Sequence, residues 1–94
     1  MTTENESRAY RLFGRVQGVG FRWWTRQTAS GLGLRGTVRN ARDGSVEIEV
    51  QGPAGALDEF EARLREGPTP ARVDRVESRE PGGEPLPTGF EIIR

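Results

Sequence analysis

Ninety-four residues with no cysteine, no histidine and a formal charge of zero make one small domain without disulfides, thiolate chemistry or an imidazole base. The neutrality hides a split: Met1 to Gly44 holds eight arginines against three acids, a net +5, whereas Ser45 to Arg94 holds six arginines against eleven acids, a net −5. A positive half of this size suits a small anionic ligand better than a long nucleic acid.

The start of the chain, residues 1–7, is polar and acidic, unlike a signal peptide, and no apolar run approaches the roughly 18 residues of a membrane span. The expectation is a cytoplasmic protein with no membrane or nucleic-acid partner, a disordered tail over 1–7 and one domain over 8–94. Arg8 to Val16 reads as the first strand, with Tyr10 and Leu12 on one face. From Phe21 the period changes. Phe21, Trp24, Thr25, Thr28, Ala29 and Leu32 fall on one face of an amphipathic helix that Gly31 and Gly33 stop.

Leu34 to Asn40 alternates again, with Leu34, Gly36, Val38 and Asn40 on one side. Asp43-Gly44 signals a hairpin, so Ser45 to Gln51 returns antiparallel with Val46, Ile48 and Val50 inward. Gly52-Pro53 opens a second helix whose buried face is Leu57, Phe60 and Leu64, and Gly67-Pro68 closes it. Val73 and Val76 mark a strand over Ala71 to Arg79, their three-residue spacing implying a bulge or a twisted edge. The Pro/Gly-rich stretch from Pro81 to Gly89 is a surface loop, and Phe90 to Ile93 is a last short strand.

This order predicts an α+β, ferredoxin-like βαββαβ sandwich, with an antiparallel sheet of four to five strands and both helices on one face. The fold alone carries no function.

Chemistry concentrates in Gly14-Arg15-Val16-Gln17-Gly18-Val19-Gly20-Phe21-Arg22, which runs from strand through a glycine-containing turn into a helix start. Such a turn aims backbone N–H groups and the positive end of a helix dipole at one point, and Arg22 in the first helical turn adds a guanidinium fork suited to phosphate or carboxylate. A second reading is open: Gly18 and Gly20 as a tight turn, Arg22 as an exposed helix-start residue. The pattern is neither a Walker loop nor a dinucleotide fingerprint. Asn40, at the end of an apolar strand face, points toward the helix-covered side where the loop must also lie; its other reading is ordinary turn chemistry. Trp24 shares the apolar helix face and reads as core, whereas Trp23 lies off it. No metal-ligand spacing occurs.

Gly14 to Arg22 resembles the acylphosphatase signature G-x-V-Q-G-V-x-F-R, and Gly36-Thr37-Val38-Arg39-Asn40 with Asp43-Gly44-Ser45-Val46-Glu47 is similar to that family's second block. The resemblance covers about Arg8 to Ile93. One departure is Thr37, where the family usually has Trp, on the strand face opposite Asn40. The resemblance implies an enzyme, free of metal and cofactor, that hydrolyses acyl phosphates to carboxylate and inorganic phosphate, and a mixed domain this small is expected to be a monomer. It assigns phosphate binding to Arg22 with the backbone of Gln17, Gly18, Val19, Gly20 and Phe21, and the holding of the attacking water to Asn40. Similar domains also begin larger carbamoyl-transferring proteins, followed there by cysteine-rich fingers; a stand-alone enzyme is the expectation here. The alternative is a non-catalytic RNA- or anion-binding ferredoxin-like module. Without histidine, no titration of catalysis is expected near a pKa of about 6.5.

Overall fold

Alternating apolar residues decide which side of the sheet is buried. In the computed structural model, which describes residues 5–93, the elements are β1 (Asn5–Arg15), α1 (Phe21–Gly31), β2 (Arg35–Asn40), β3 (Val46–Pro53), α2 (Ala54–Glu66), β4 (Arg72–Arg79) and β5 (Phe90–Ile92). Tyr10 and Leu12 of β1, Val38 of β2, and Val46, Ile48 and Val50 of β3 share one face. They form a single core with Phe21 and Ala29 of α1 and Leu57, Phe60 and Leu64 of α2. Both helices therefore cover the same face, as the period-2 and period-3.6 patterns require. Burying each of the large apolar side chains is worth about 1.5–3 kcal/mol. Phe60 meets Phe90 edge-on, with ring centroids 6.2 Å apart.

The strand order is β4-β1-β3-β2-β5. The central pairings are antiparallel, but β5 runs parallel to β2, with Gly36 opposite Phe90 and Val38 opposite Ile92, which corrects the expectation of a wholly antiparallel sheet. The loop over 80–89 makes this possible. It leaves one edge of the sheet at β4, crosses the helix-free face and delivers the chain to the other edge in the direction of β2. Arg35 fastens it by donating to the carbonyls of Pro87 and Leu86, at 2.9 and 2.5 Å.

The first strand begins at Asn5 and not at Arg8, because Asn5, Glu6 and Ser7 pair with Pro53, Gly52 and Gln51. These three residues thus belong to the sheet and not to a disordered tail; the remainder of that expectation, over 1–4, lies outside the described residues. Between β1 and β4 the register slips by one residue after Phe13, the bulge that the Val73/Val76 spacing implied. Gly14 sits at the slip, where a Cβ would fall 2.1 Å from the Arg72 carbonyl oxygen, so no larger residue fits without moving the backbone.

The hairpin between β2 and β3 takes five residues, 41–45. Asp43 holds its turn, its Oδ1 accepting from the Ser45 backbone N–H at 2.9 Å and from Ser45 Oγ at 2.5 Å. Thr25, on the buried face of α1, is fully enclosed, and its Oγ1 makes no hydrogen bond among the described residues.

Candidate active site

The loop between β1 and α1 is shaped by two glycines. Gly18 and Gly20 have φ of 74° and 76°, left-handed values that cost a side chain-bearing residue about 1–2 kcal/mol. Nothing lies within 4 Å of where a Cβ would stand at either position. Their role is thus conformational: left-handed residues alternating with right-handed ones can turn successive N–H groups to one side, the arrangement of an anion-binding nest.

Gly20 is also the residue before α1. No side chain caps this helix and no acid occupies its first turn. By helical geometry the N–H groups of Phe21, Arg22 and Trp23 have no partner within the helix, and the dipole adds partial positive charge there. A helix start that is neither capped nor neutralised, reached through a left-handed glycine, has the donors and the dipole with which an anion can be bound.

The loop and the helix start open on a cleft of about 290 Å³ lined by Val16, Gly18, Gly20, Phe21, Arg22 and Trp23, with Asn40 of β2 and Ile92 of β5 across from them. Arg22 is half-buried. Among the described residues it takes part in none of the ion pairs that engage Arg8, Arg11, Arg39, Arg63, Arg65, Arg72, Arg75 and Arg79. Among the described residues it is the only charged one lining the cleft, and its fork can turn to a ligand.

Asn40 stands at the last position of β2, on the same face as Gly36 and Val38. Its Oδ1 is buried and accepts no hydrogen bond from the described protein atoms. A buried acceptor left without a donor costs about 1–3 kcal/mol, and such a cost is tolerated where a ligand or water completes the bond.

Of the seven residues anticipated for the site, Arg22, Asn40, Gly18, Gly20 and Phe21 line this cleft, and Gln17 and Val19 do not. Val19 packs half-buried against the core. The Gln17 side chain turns the other way, its Nε2 donating to the carbonyls of Ala41 at 2.8 Å and Ser45 at 2.9 Å. It ties the loop to the hairpin that carries Asn40. The sequence reading treated Gln17 as backbone alone; its side-chain role depends on residues 24 and 28 positions away and leaves no local signal. Trp23 and Ile92 were also missed as cleft residues. Trp23 lies off the apolar helix face, whereas Trp24 meets Phe21 at a tilt of 49° with centroids 5.4 Å apart.

A larger hollow of about 380 Å³ lies under the 80–89 loop on the helix-free face, lined by Arg35, Glu49 and Leu86 among others. Two of its charged groups are already hydrogen-bonded: Arg35 to the loop carbonyls, and Glu49 to the Gly82 N–H at 3.1 Å. Thr37 faces a neighbouring hollow on that same side, away from the cleft. No helix among the described residues is long and apolar enough to cross a membrane.

The acylphosphatase family model matches residues 8–92. The chain is 46% identical over 92 residues to an acylphosphatase of Koribacter versatilis, covering 98% of this chain and 84% of that protein. It is 52% identical over 87 residues to one of Nitratidesulfovibrio vulgaris, covering 90% of this chain and 87% of that protein. Among solved structures, an acylphosphatase from Coxiella burnetii superposes with a TM-score of 0.86 at 31% identity, covering 95% of this chain and 93% of that one. The expectation of a non-catalytic binding module finds no support in these relatives.

Proposed function

The chain belongs to the acylphosphatase family and is a hydrolase of acyl phosphates, and within that activity we propose that Arg22 clamps the phosphoryl group while Asn40 positions the attacking water. The observation that carries this assignment is the pairing, in one cleft, of an arginine without an acidic partner and a buried amide oxygen without a donor.

The phosphoryl oxygens bind the backbone amides from Gly18 to Phe21 and the Arg22 fork, which together spread positive potential over the three equatorial oxygens. Asn40 Oδ1 accepts a hydrogen bond from the water, fixing its lone pair toward phosphorus. The water oxygen forms the new P–O bond as the bond to the acyl oxygen breaks. The electron pair leaves with the carboxylate, and the water's proton passes to a phosphoryl oxygen. An acyl phosphate dianion and water thus become carboxylate and dihydrogen phosphate, with charge conserved. Because a carboxylate is a stable leaving group, no side-chain acid has to protonate it, and positioning with charge stabilisation supplies the catalysis. This suits a chain without histidine, cysteine or lysine.

The proposal extends to a monomer acting in the cytoplasm on a small-molecule acyl phosphate, releasing inorganic phosphate, without nucleic-acid or membrane partners. The absence of cysteine and the confinement of excess positive charge to the half that holds the loop support it. Side-by-side hydrolysis of benzoyl phosphate by the wild type and Asn40→Ala tests the site assignment. Turnover by the wild type, competitive inhibition by inorganic phosphate and loss of turnover in the folded variant are expected; equal rates would remove Asn40 from the mechanism.

A further inference from the structure

Large apolar side chains on the surface of a small domain are unremarkable when scattered and informative when gathered. Among the described residues three are exposed: Trp23 at 60%, Ile92 at 37% and Ile93 at 38%. Two of them, Trp23 and Ile92, line the cleft that holds Arg22 and Asn40. They arrive from opposite ends of the chain. Trp23 is carried by the first turn of α1, one residue after Arg22, and Ile92 by β5, which reaches this position only because the 80–89 loop brings it parallel to β2.

We propose that Trp23 and Ile92 form the acyl-binding rim of the active site and select acyl phosphates with flat, uncharged, apolar acyl groups. The inference rests on the reading of Arg22 as the phosphate clamp. In an acyl phosphate one oxygen separates the acyl carbon from phosphorus, so with phosphate held at the loop the first atoms of the acyl group remain within the cleft. Beyond the glycines, Arg22 and Asn40, the walls are Val16, Phe21, Trp23 and Ile92. Arg22 is given to phosphate and, among the described residues, no second charged side chain lines the cleft, so a charged acyl group finds no partner on these walls and loses hydration without return. An aryl group, by contrast, stacks on the exposed indole and covers Ile92, and aromatic pairs of this kind contribute beyond their buried area.

The test compares kcat/KM for benzoyl phosphate and acetyl phosphate in the wild type, Trp23→Ala, Trp23→Phe and Ile92→Ser. The side chains of Trp23 and Ile92 are exposed, so the variants are expected to fold; thermal melts check this. The ratio of benzoyl to acetyl kcat/KM is expected to fall about fivefold in Trp23→Ala, the size of one aromatic contact, to fall less in Ile92→Ser and to be largely kept in Trp23→Phe. An unchanged ratio in Trp23→Ala overturns the proposal. So does a parallel weakening of inhibition by inorganic phosphate, which has no acyl part and reports on the clamp alone. If the wild type hydrolyses neither substrate, it is the clamp reading that fails, before the rim comes into question.

Discussion

The side-chain amide of Gln17 donates to the backbone carbonyl of Ala41, the residue next to Asn40, and the same nitrogen reaches the Ser45 carbonyl. One side chain of the loop between β1 and α1 thereby ties that loop to the strand end that carries Asn40. Gln17→Ala removes one of two donors from each carbonyl, leaving the Gly44 N–H on Ala41 at 3.2 Å and the Ala41 N–H on Ser45 at 2.8 Å. A stability loss of about 1–3 kcal/mol is expected from the lost bonds, read by urea denaturation. A fall in kcat of about tenfold should accompany it through misplacement of Asn40 relative to bound phosphate. Loss of stability with full kcat would show that the tie is structural only.

Asn40→Ala separates catalysis from folding more cleanly. Its oxygen is buried and unpartnered, so its removal takes away a desolvated group that returns nothing to the fold. Turnover is expected to fall by about 10²–10³, as for the loss of one preorganised polar contact at a reacting centre, while the melting temperature holds or rises. A large drop in melting temperature would mark Asn40 as a structural residue of the hairpin.

Arg22→Lys keeps the charge and loses the fork. A lysine presents a point charge on a flexible stem and cannot grip two phosphoryl oxygens in one plane. The kcat/KM for acetyl phosphate is expected to fall by about 10²-fold or more, with weaker inhibition by inorganic phosphate, both measured by phosphate release. Near-normal inhibition by phosphate in this variant would show that the loop amides alone hold the anion.

The core, the helices and the loop were legible in the sequence because each writes a local period or a local turn. Leu57, Phe60 and Leu64 fall on one helical face, Val46, Ile48 and Val50 alternate, and both sets are buried as expected. What was not legible is set by contacts between distant residues. The direction of β5 follows from the path of the 80–89 loop and its anchoring by Arg35, and three residues give no period to read. The early start of β1 depends on finding β3 extended to Pro53 as its partner. At the site, Arg22 and Asn40 could be placed by motif and parity, but the outward turn of the Gln17 amide and the meeting of Trp23 with Ile92 belong to tertiary geometry.

Acid should loosen the hairpin first. The Ser45 hydroxyl, then the Ser45 backbone N–H, hold the Asp43 carboxyl below its ordinary value of 3.8. Burial pushes the Glu47 carboxyl up, but hydrogen bonds from Arg11 and Arg39 outweigh it and leave the group below its ordinary 4.5. A depressed carboxylate contributes stability that is present above its unfolded pKa and lost as pH falls through its folded one. Stability should therefore hold down to about pH 5 and decline below about pH 4. Ser45→Ala should flatten that decline, measured by urea midpoints from pH 2.5 to 7; an unchanged slope would remove Asp43 from the acid response.

Thr25 Oγ1 and Asn40 Oδ1 share a defect, a buried oxygen without a hydrogen-bond partner among the described residues, yet of the two only Asn40 borders the cleft. Thr25→Val should raise stability by about 0.5–1 kcal/mol, seen as a higher melting temperature at full activity. Selection of random variants for heat resistance alone would then enrich replacements at both positions and produce two classes of survivor, one active and one inert. Position 25 would then record a tolerance that drift can erase and position 40, in its proposed role, a stability sacrifice that the need for turnover maintains.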